Sequence, residues 1–224
     1  MPDAAGPDAG GSGPAGLDPA QVQPVVLVGG RSRRFGRDKL REPVAGGWLV
    51  DRPIAALRAI FGPRVACVGE CDPQVAARFD LVIPDLHPGA GPIGGIISAL
   101  AHAQAPVFIL AGDLASITAD EVRALLTEWG ATPPCRAPAR RAGWGRIGSC
   151  REQSPAAPLA IMAGADRPEP CCAIYLPGAL PILAARLEAG RRSLHDALDP
   201  GRVILVRLDP SRLRNINAQE DLGG

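Results

Sequence analysis

The stretch VVLVGGRSRRFGRDK, residues 25–39, joins an apolar run to a glycine-rich basic loop. Its first four residues are apolar and mostly β-branched, which predicts a buried strand. The glycines that follow would present backbone N–H groups at the carboxyl end of a sheet, where open α/β sheets bind ligands. Backbone donors combined with this much positive charge favour a cradle for a polyphosphate. The cationic side chains are Arg31, Arg33, Arg34, Arg37 and Lys39.

This loop differs from the two common phosphate-binding motifs. It has neither the G-x-x-x-x-G-K-[ST] pattern of a P-loop nor the G-x-G-x-x-G pattern of a dinucleotide fold. On the residues alone, the alternative interpretation is a strand followed by a solvated basic turn.

Composition and charge argue against several classes of function. The 224 residues carry a formal net charge of +1, so no overall field would attract nucleic acid or an anionic membrane. Aromatic residues make up 4% of the chain, too few for stacking platforms on single strands. No apolar run approaches the roughly 20 residues that span a bilayer, and no secretory pattern is present. We expect no nucleic-acid partner, no membrane partner and a cytoplasmic location.

Cysteine and histidine spacing gives no indication of a metal or thiol site. The six cysteines include no C-x-x-C pair, and the three histidines are not paired at ligand spacing. We expect buried or incidental thiols in a reducing compartment, and no zinc site.

Segments of strand length alternate with segments of helical spacing, which predicts an α/β fold with a mostly parallel sheet. Residues 1–22 are predicted to be a disordered tail, and residues 23–224 a single domain. Residues 130–157 predict a flexible insertion, with an Arg-rich lid over a phosphorylated acceptor as the alternative. Strands are predicted at 25–28, 65–68, 81–83, 106–113, 159–162, 171–175 and 203–206. Helices are predicted at 52–61, 73–78, from about 93, and at 120–129, 177–188 and 194–198, the last capped by Ser193.

A single carboxylate, Asp85, follows the 81–83 strand. It precedes a Gly-Pro loop that contains Gly91, and Gly94 and Gly95 then open an apolar helix. These glycines favour either a ligand close to the helix N-terminus or a tight turn packed against the sheet. The residues alone leave both interpretations open.

A second carboxylate, Asp113, ends the strongest predicted strand. Thr118, with Glu121 three residues later, forms a capping box for the next helix. Asp113 is therefore available for another role, and a hard oxygen ligand facing a triphosphate suits Mg²⁺.

The order of residues in the 27–39 loop resembles the signature loop of the nucleotidyltransferases that make molybdenum dinucleotide cofactors. Asp85 and its Gly-Pro segment are similar to the guanine-reading part of that family, and Asp113 is similar to its strand-end metal ligand. Residues 214–222 resemble the terminal motif N-[IVL]-N-T-P-E-D-L, although they also contain a helix-capping pattern. The resemblance implies a Rossmann-like three-layer α/β/α fold and a molybdenum cofactor guanylyltransferase.

This family resemblance implies transfer of GMP from GTP to the phosphate of molybdopterin, with release of pyrophosphate. Arg34, Lys39 and Asp113 are the implied catalytic residues, with Asp113 holding Mg²⁺, or Mn²⁺ in its place. Asn215 and Asn217 would lie on the acceptor side. The implied nucleotide-binding residues are Leu27, Gly29, Gly30, Ser32, Gly36, Lys39, Asp85, Gly91 and Asp113. Implied partners are GTP, a molybdopterin-type phosphorylated acceptor, and molybdoenzymes or other cofactor-biosynthesis proteins.

The sequence departs from the family pattern at Val28, at Ala115 and at Ala218-Gln219. Val28 would either crowd the base or pack inward. Two alternatives to guanylyl transfer follow. One is transfer of a cytidylyl or other nucleotidyl group to a different phosphate, and the other is a non-catalytic relative that binds nucleotide.

Overall fold

The structure is a computed structural model that describes residues 18–29, 38–131, 157–165 and 167–214. Among these residues, no helix combines the length and the apolar character needed to cross a bilayer. The strands are β1 (Gln23–Leu27), β2 (Pro43–Val44), β3 (Gly47–Trp48), β4 (Ala66–Val68), β5 (Leu81–Ile83), β6 (Val107–Ala111), β7 (Ala160–Gly164), β8 (Pro168–Tyr175) and β9 (Val203–Arg207). The α-helices are α1 (Asp51–Phe61), α2 (Pro73–Ala76), α3 (Pro92–Ala103), α4 (Ala119–Ala131) and α5 (Leu180–Glu188).

Within the described residues, a seven-stranded sheet has the order β5-β4-β1-β6-β8-β7-β9. Neighbouring strands are parallel except where β8 pairs with β6 and with β7. The strands other than β8 therefore end at one edge of the sheet, here called the carboxyl edge, and β8 begins there. The predicted α/β fold with a mostly parallel sheet is confirmed.

Alternate residues of the strands face different helices, as the two-residue repeat of a strand requires. Val26 belongs to a buried cluster with Leu57 of α1 and Leu125 of α4. Val25 belongs to a second cluster, on the other face of the sheet, with Ile96 of α3. Helices thus cover both faces, which confirms the predicted three layers.

One predicted helix is wrong. Residues 194–198 form turns, and Leu194, Ala197 and Leu198 are buried in the same cluster as α3. A five-residue segment is too short to gain much from helix propagation, and Pro200 follows closely behind it. Burial of its apolar side chains fixes this segment instead.

Candidate active site

Three of the predicted site residues follow directly from strand ends at the carboxyl edge. Gly29 lies just beyond β1, Asp85 just beyond β5 and Asp113 just beyond β6. The pairing aligns these ends, because Leu27 is the register partner of both Val68 in β4 and Ala111 in β6. Residues distant in sequence therefore meet along one edge of the sheet.

Lys39 and Asp113 form an ion pair at this edge. Nζ of Lys39 lies 2.5 Å from Oδ2 of Asp113, and the two side chains are 21% and 15% exposed. The N–H of Gly112 donates to the carbonyl of Leu27 at 3.0 Å, which fixes the end of β6 to the end of β1. A partly exposed cation beside a carboxylate offers a phosphate ligand and a cation ligand at one point.

The carboxylate of Asp38 fixes the 3-10 turn that carries Lys39. Its Oδ1 accepts a hydrogen bond from the N–H of Leu40, and its Oδ2 accepts one from the N–H of Asp72, each at 3.0 Å. The carboxylate of Asp72 in turn lies 2.9 Å from the guanidinium of Arg41. The turn is thus attached to the connection between β4 and α2. Neither Asp72 nor Arg41 belongs to a motif, so the sequence alone does not single them out.

The ends of β1 and β4 approach each other through glycine backbone. Gly69 has a φ of +116°, and a Cβ built on it would lie 2.6 Å from the backbone N of Gly29. Such a contact excludes any side chain at position 69 without movement of the backbone. Val28 is only 4% exposed and belongs to the core cluster, so it packs inward and does not crowd the edge.

Asp85 is half-buried in the loop between β5 and α3. Its Oδ1 accepts a hydrogen bond from the N–H of His87 at 2.9 Å and lies 3.4 Å from Oγ of Ser98. Its Oδ2 has no hydrogen-bond partner within the described residues. This oxygen is therefore available to donors on a ligand.

The glycines in the first turn of α3 are explained by packing. A Cβ on Gly94 would lie 2.9 Å from the carbonyl of His87, and one on Gly95 would lie 3.0 Å from Leu27. The absence of a side chain at Gly94 lets the loop after Asp85 pack against the helix. The absence of one at Gly95 lets the helix pack against β1. Of the two interpretations open from the sequence, these contacts favour the tight turn. Gly91 immediately precedes Pro92, the first residue of α3.

The predicted capping box of α4 is confirmed. The N–H of Thr118 donates to Oε2 of Glu121 at 2.9 Å, and the N–H of Asp120 donates to Oγ1 of Thr118 at 3.3 Å. Asp113 takes no part in this cap, and its carboxylate pairs with Lys39 instead.

A family model described as "MobA-like NTP transferase domain" matches residues 24–202, most of the chain. The chain belongs to this family. The match covers β1, the 3-10 turn that carries Lys39, and the strand ends that precede Asp85 and Asp113. The family resemblance found in the sequence is therefore confirmed.

Two curated relatives of this chain have the same name, which is given below with their similarity. A protein of Opitutus terrae is 32% identical over 169 residues, which cover 75% of this chain and 73% of the relative. A protein of Chloroflexus aggregans is 28% identical over 212 residues, covering 88% and 90% of the two chains. Both are named probable molybdenum cofactor guanylyltransferase.

Solved structures of related proteins share the fold. Molybdopterin-guanine dinucleotide biosynthesis protein A from Archaeoglobus fulgidus has a TM-score of 0.64 at 24% identity, covering 89% of this chain and 94% of that one. A nucleotidyl transferase from a Methanothermobacter has a TM-score of 0.62 at 14% identity, covering 90% and 94%. At this level of identity the likeness concerns the fold alone.

Six predicted site residues lie outside the described residues: Gly30, Ser32, Arg34, Gly36, Asn215 and Asn217. Residues 1–17 and 132–156, which hold most of the predicted tail and insertion, lie outside them as well. Near the end of the described chain, the guanidinium of Arg212 donates a hydrogen bond to the carbonyl of Ser116 at 3.4 Å. Ser116 lies in the loop after Asp113.

Cys171, in the first half of β8, is close enough to Asp113 for that carboxylate to act on its thiol. Burial raises the pKa of its thiol to about 12, and the carboxylates of Glu169 and Asp113 add to the effect. A thiol with so high a pKa stays protonated near neutral pH, so it is a poor nucleophile. In the part of the chain that the structure describes, no three His, Cys, Asp or Glu side chains come together as a metal cluster.

Proposed function

We propose that this chain transfers GMP from GTP to the terminal phosphate of a molybdopterin-type acceptor. Membership of the family and the shared name of relatives that cover most of the chain support the guanylyl transfer. The observation that carries the proposal is the Lys39–Asp113 pair, which lies on the same sheet edge as the half-free carboxylate of Asp85. The Lys39–Asp113 pair suits a triphosphate, and the carboxylate of Asp85 suits the donor edge of a guanine.

The proposed reaction is an in-line displacement at the α-phosphorus of GTP. An oxygen of the acceptor phosphate forms the new P–O bond, the bond between the α-phosphorus and the α–β bridging oxygen breaks, and pyrophosphate leaves with that electron pair. The attacking phosphate is already ionised near neutral pH, so no general base is required. Positioning and charge neutralisation then supply the rate enhancement. Lys39 would bind the departing phosphates, where negative charge develops.

The residues at the site fit a divalent cation that binds together with the triphosphate. Mg²⁺ is usually bound by one or two carboxylates together with substrate phosphates and water, and Asp113 supplies one carboxylate in the position that the phosphates would reach. When bound, the cation would neutralise charge on the phosphate oxygens. Mn²⁺ would suit the same oxygen donors.

The cytoplasmic location is part of the proposal, and the free thiols of the four described cysteines agree with a reducing compartment.

The guanine preference of Asp85 distinguishes this proposal from the alternatives. Guanine presents two donors, N1–H and the 2-amino group, to which a carboxylate is the matching acceptor. Cytosine offers one amino donor and two acceptors, which the carboxylate of Asp85 matches less well. Replacing Asp85 by asparagine puts an amide donor opposite donors, so we expect GTP affinity to fall by at least about tenfold.

The first test is thermal unfolding of the wild-type chain and of Asp85→Asn with GTP, CTP, ATP or UTP, with and without Mg²⁺. A ligand at 100 times its dissociation constant adds about 2.7 kcal/mol, a midpoint rise of roughly 5–10 °C for a chain of this size. We expect a Mg²⁺-dependent rise with GTP and with no other nucleotide in the wild type, a rise of about half that size or less in Asp85→Asn, and pyrophosphate release by the wild type once the acceptor is added. A rise with CTP, or GTP binding without turnover, would contradict the proposal.

A further inference from the structure

A buried hydroxyl lies directly beneath Asp85. Ser98, in the middle of α3, is 1% exposed. Its Oγ accepts a hydrogen bond from the N–H of Leu86 at 3.0 Å. The same oxygen lies 2.8 Å from the carbonyl of Gly94 and 3.4 Å from Oδ1 of Asp85, so its single proton is shared between two acceptors.

These contacts fix the direction of the Asp85 carboxylate. Oδ1 is turned towards α3, where it meets the N–H of His87 and the hydroxyl of Ser98. The hydroxyl also holds the backbone N–H of Leu86, the residue directly after Asp85. The carboxylate is therefore held at its side chain and at its backbone by a rigid helix, with Oδ2 left unpartnered within the described residues.

We infer that Ser98 is a positioning residue for Asp85 and that it determines how well the site distinguishes guanine from hypoxanthine. The inference rests on the proposed function, in which Asp85 accepts both donors of guanine. Hypoxanthine keeps N1–H and lacks the 2-amino group. A carboxylate locked in one plane gains the second hydrogen bond from guanine, whereas a carboxylate that rotates freely loses much of this difference.

A purely structural role for the hydroxyl makes a different prediction. A serine bonded to the carbonyl four residues earlier slightly destabilises a helix and says nothing by itself about ligand binding. If Ser98 served only to satisfy the N–H of Leu86, its loss would loosen the loop and weaken all purine nucleotides equally. The ratio of affinities for GTP and inosine triphosphate (ITP) therefore separates the two roles.

The experiment measures dissociation constants for GTP and ITP by isothermal titration calorimetry, with Mg²⁺, on the full chain. The variants are Ser98→Ala and Ile97→Val. Ile97 is 3% exposed in the same helix, so its shortening costs packing and leaves every polar contact of Asp85 in place. Ser98→Cys, which fills a similar space with a weak hydrogen-bonding group, gives the same comparison if the alanine variant does not fold.

We expect the wild type to prefer GTP over ITP by about tenfold or more, the scale of one hydrogen bond to a charged group. Ser98→Ala should lower this ratio by about fivefold, while Ile97→Val retains it. Equal loss for both nucleotides, or an unchanged ratio, would overturn the role of Ser98 and leave the proposed function intact. A wild-type chain that binds GTP and ITP equally would overturn the guanine-reading role of Asp85 together with the role of Ser98. A wild-type chain that binds neither nucleotide would overturn the proposed function as well.

Discussion

Replacing Lys39 by alanine removes the cation that contacts Asp113 and, in the proposed reaction, a donor to the departing phosphates. At about 4 Å in a medium of effective dielectric 20, a unit charge pair is worth about 4 kcal/mol, and desolvation offsets most of this. With side chains 21% and 15% exposed, we expect the free chain to lose about 1–2 kcal/mol, or roughly 2–8 °C in midpoint. Turnover should fall about 100-fold, equivalent to about 2.7 kcal/mol of transition-state stabilisation.

The assay is pyrophosphate release with GTP, Mg²⁺ and a molybdopterin acceptor, analysed as separate changes in kcat and KM. Arg58→Ala is the matched control, because Arg58 pairs with Asp80 at 2.9 Å and Asp80 precedes β5, at the edge opposite the site. It should cost a similar amount of stability and leave turnover unchanged. If Lys39→Ala keeps kcat within about fivefold of the wild type, or if Arg58→Ala loses as much, Lys39 does not have the role proposed.

Two further predictions concern the fold around the site. Gly69→Ala should lower the free energy of unfolding by about 1–3 kcal/mol and weaken GTP binding, because its Cβ would meet Gly29. Gly46 also has a positive φ but has open space around it. Gly46→Ala should therefore lower stability less and leave the GTP dissociation constant, measured by calorimetry, unchanged. Burial raises the pKa of Cys67 and of Cys171 to about 12, so above about pH 9 the unfolded chain loses thiol protons that the folded chain keeps. Urea unfolding should show stability falling from about pH 9 to 12, by at most about 1.4 kcal/mol per thiol per pH unit, and less steeply in Cys67→Ala; an identical slope in that variant would contradict the assignment.

Local signals were sufficient for most of the fold. The spacing of Ile54, Leu57 and Ile60 predicted α1, and the alternation of short apolar runs with helices predicted parallel strands. The order of the strands depends on pairings between distant segments, which no local pattern encodes. The insertion of β8 between β6 and β7 is such a pairing. The wrong helix at 194–198 has the same origin, since tertiary burial overrode a weak local preference.

Some residues of the candidate site could likewise be predicted from the sequence, and others could not. Asp85 and Asp113 follow strand ends, Lys39 follows the glycine-rich basic loop, and such segments can be recognised in the sequence. Asp72 and Ser98 act through partners on other elements, so their importance emerges only when the chain is folded. A faint signal existed for Ser98, because it is a lone hydroxyl within the otherwise apolar and small residues 93–100.

The strand order gives a reason for the direction in which GTP would lie. Three steps separate β5 from β6, and at about 4.8 Å per step Asp85 and Asp113 are carried by strands about 14 Å apart. Between them lie the ends of β4 and β1, where Gly69 meets Gly29 and bare backbone forms the edge. A nucleotide with its base at Asp85 would therefore cross glycine backbone before its phosphates reach Lys39. In this arrangement the acceptor would approach from beyond β6, the side of the sheet on which β8, β7 and β9 lie.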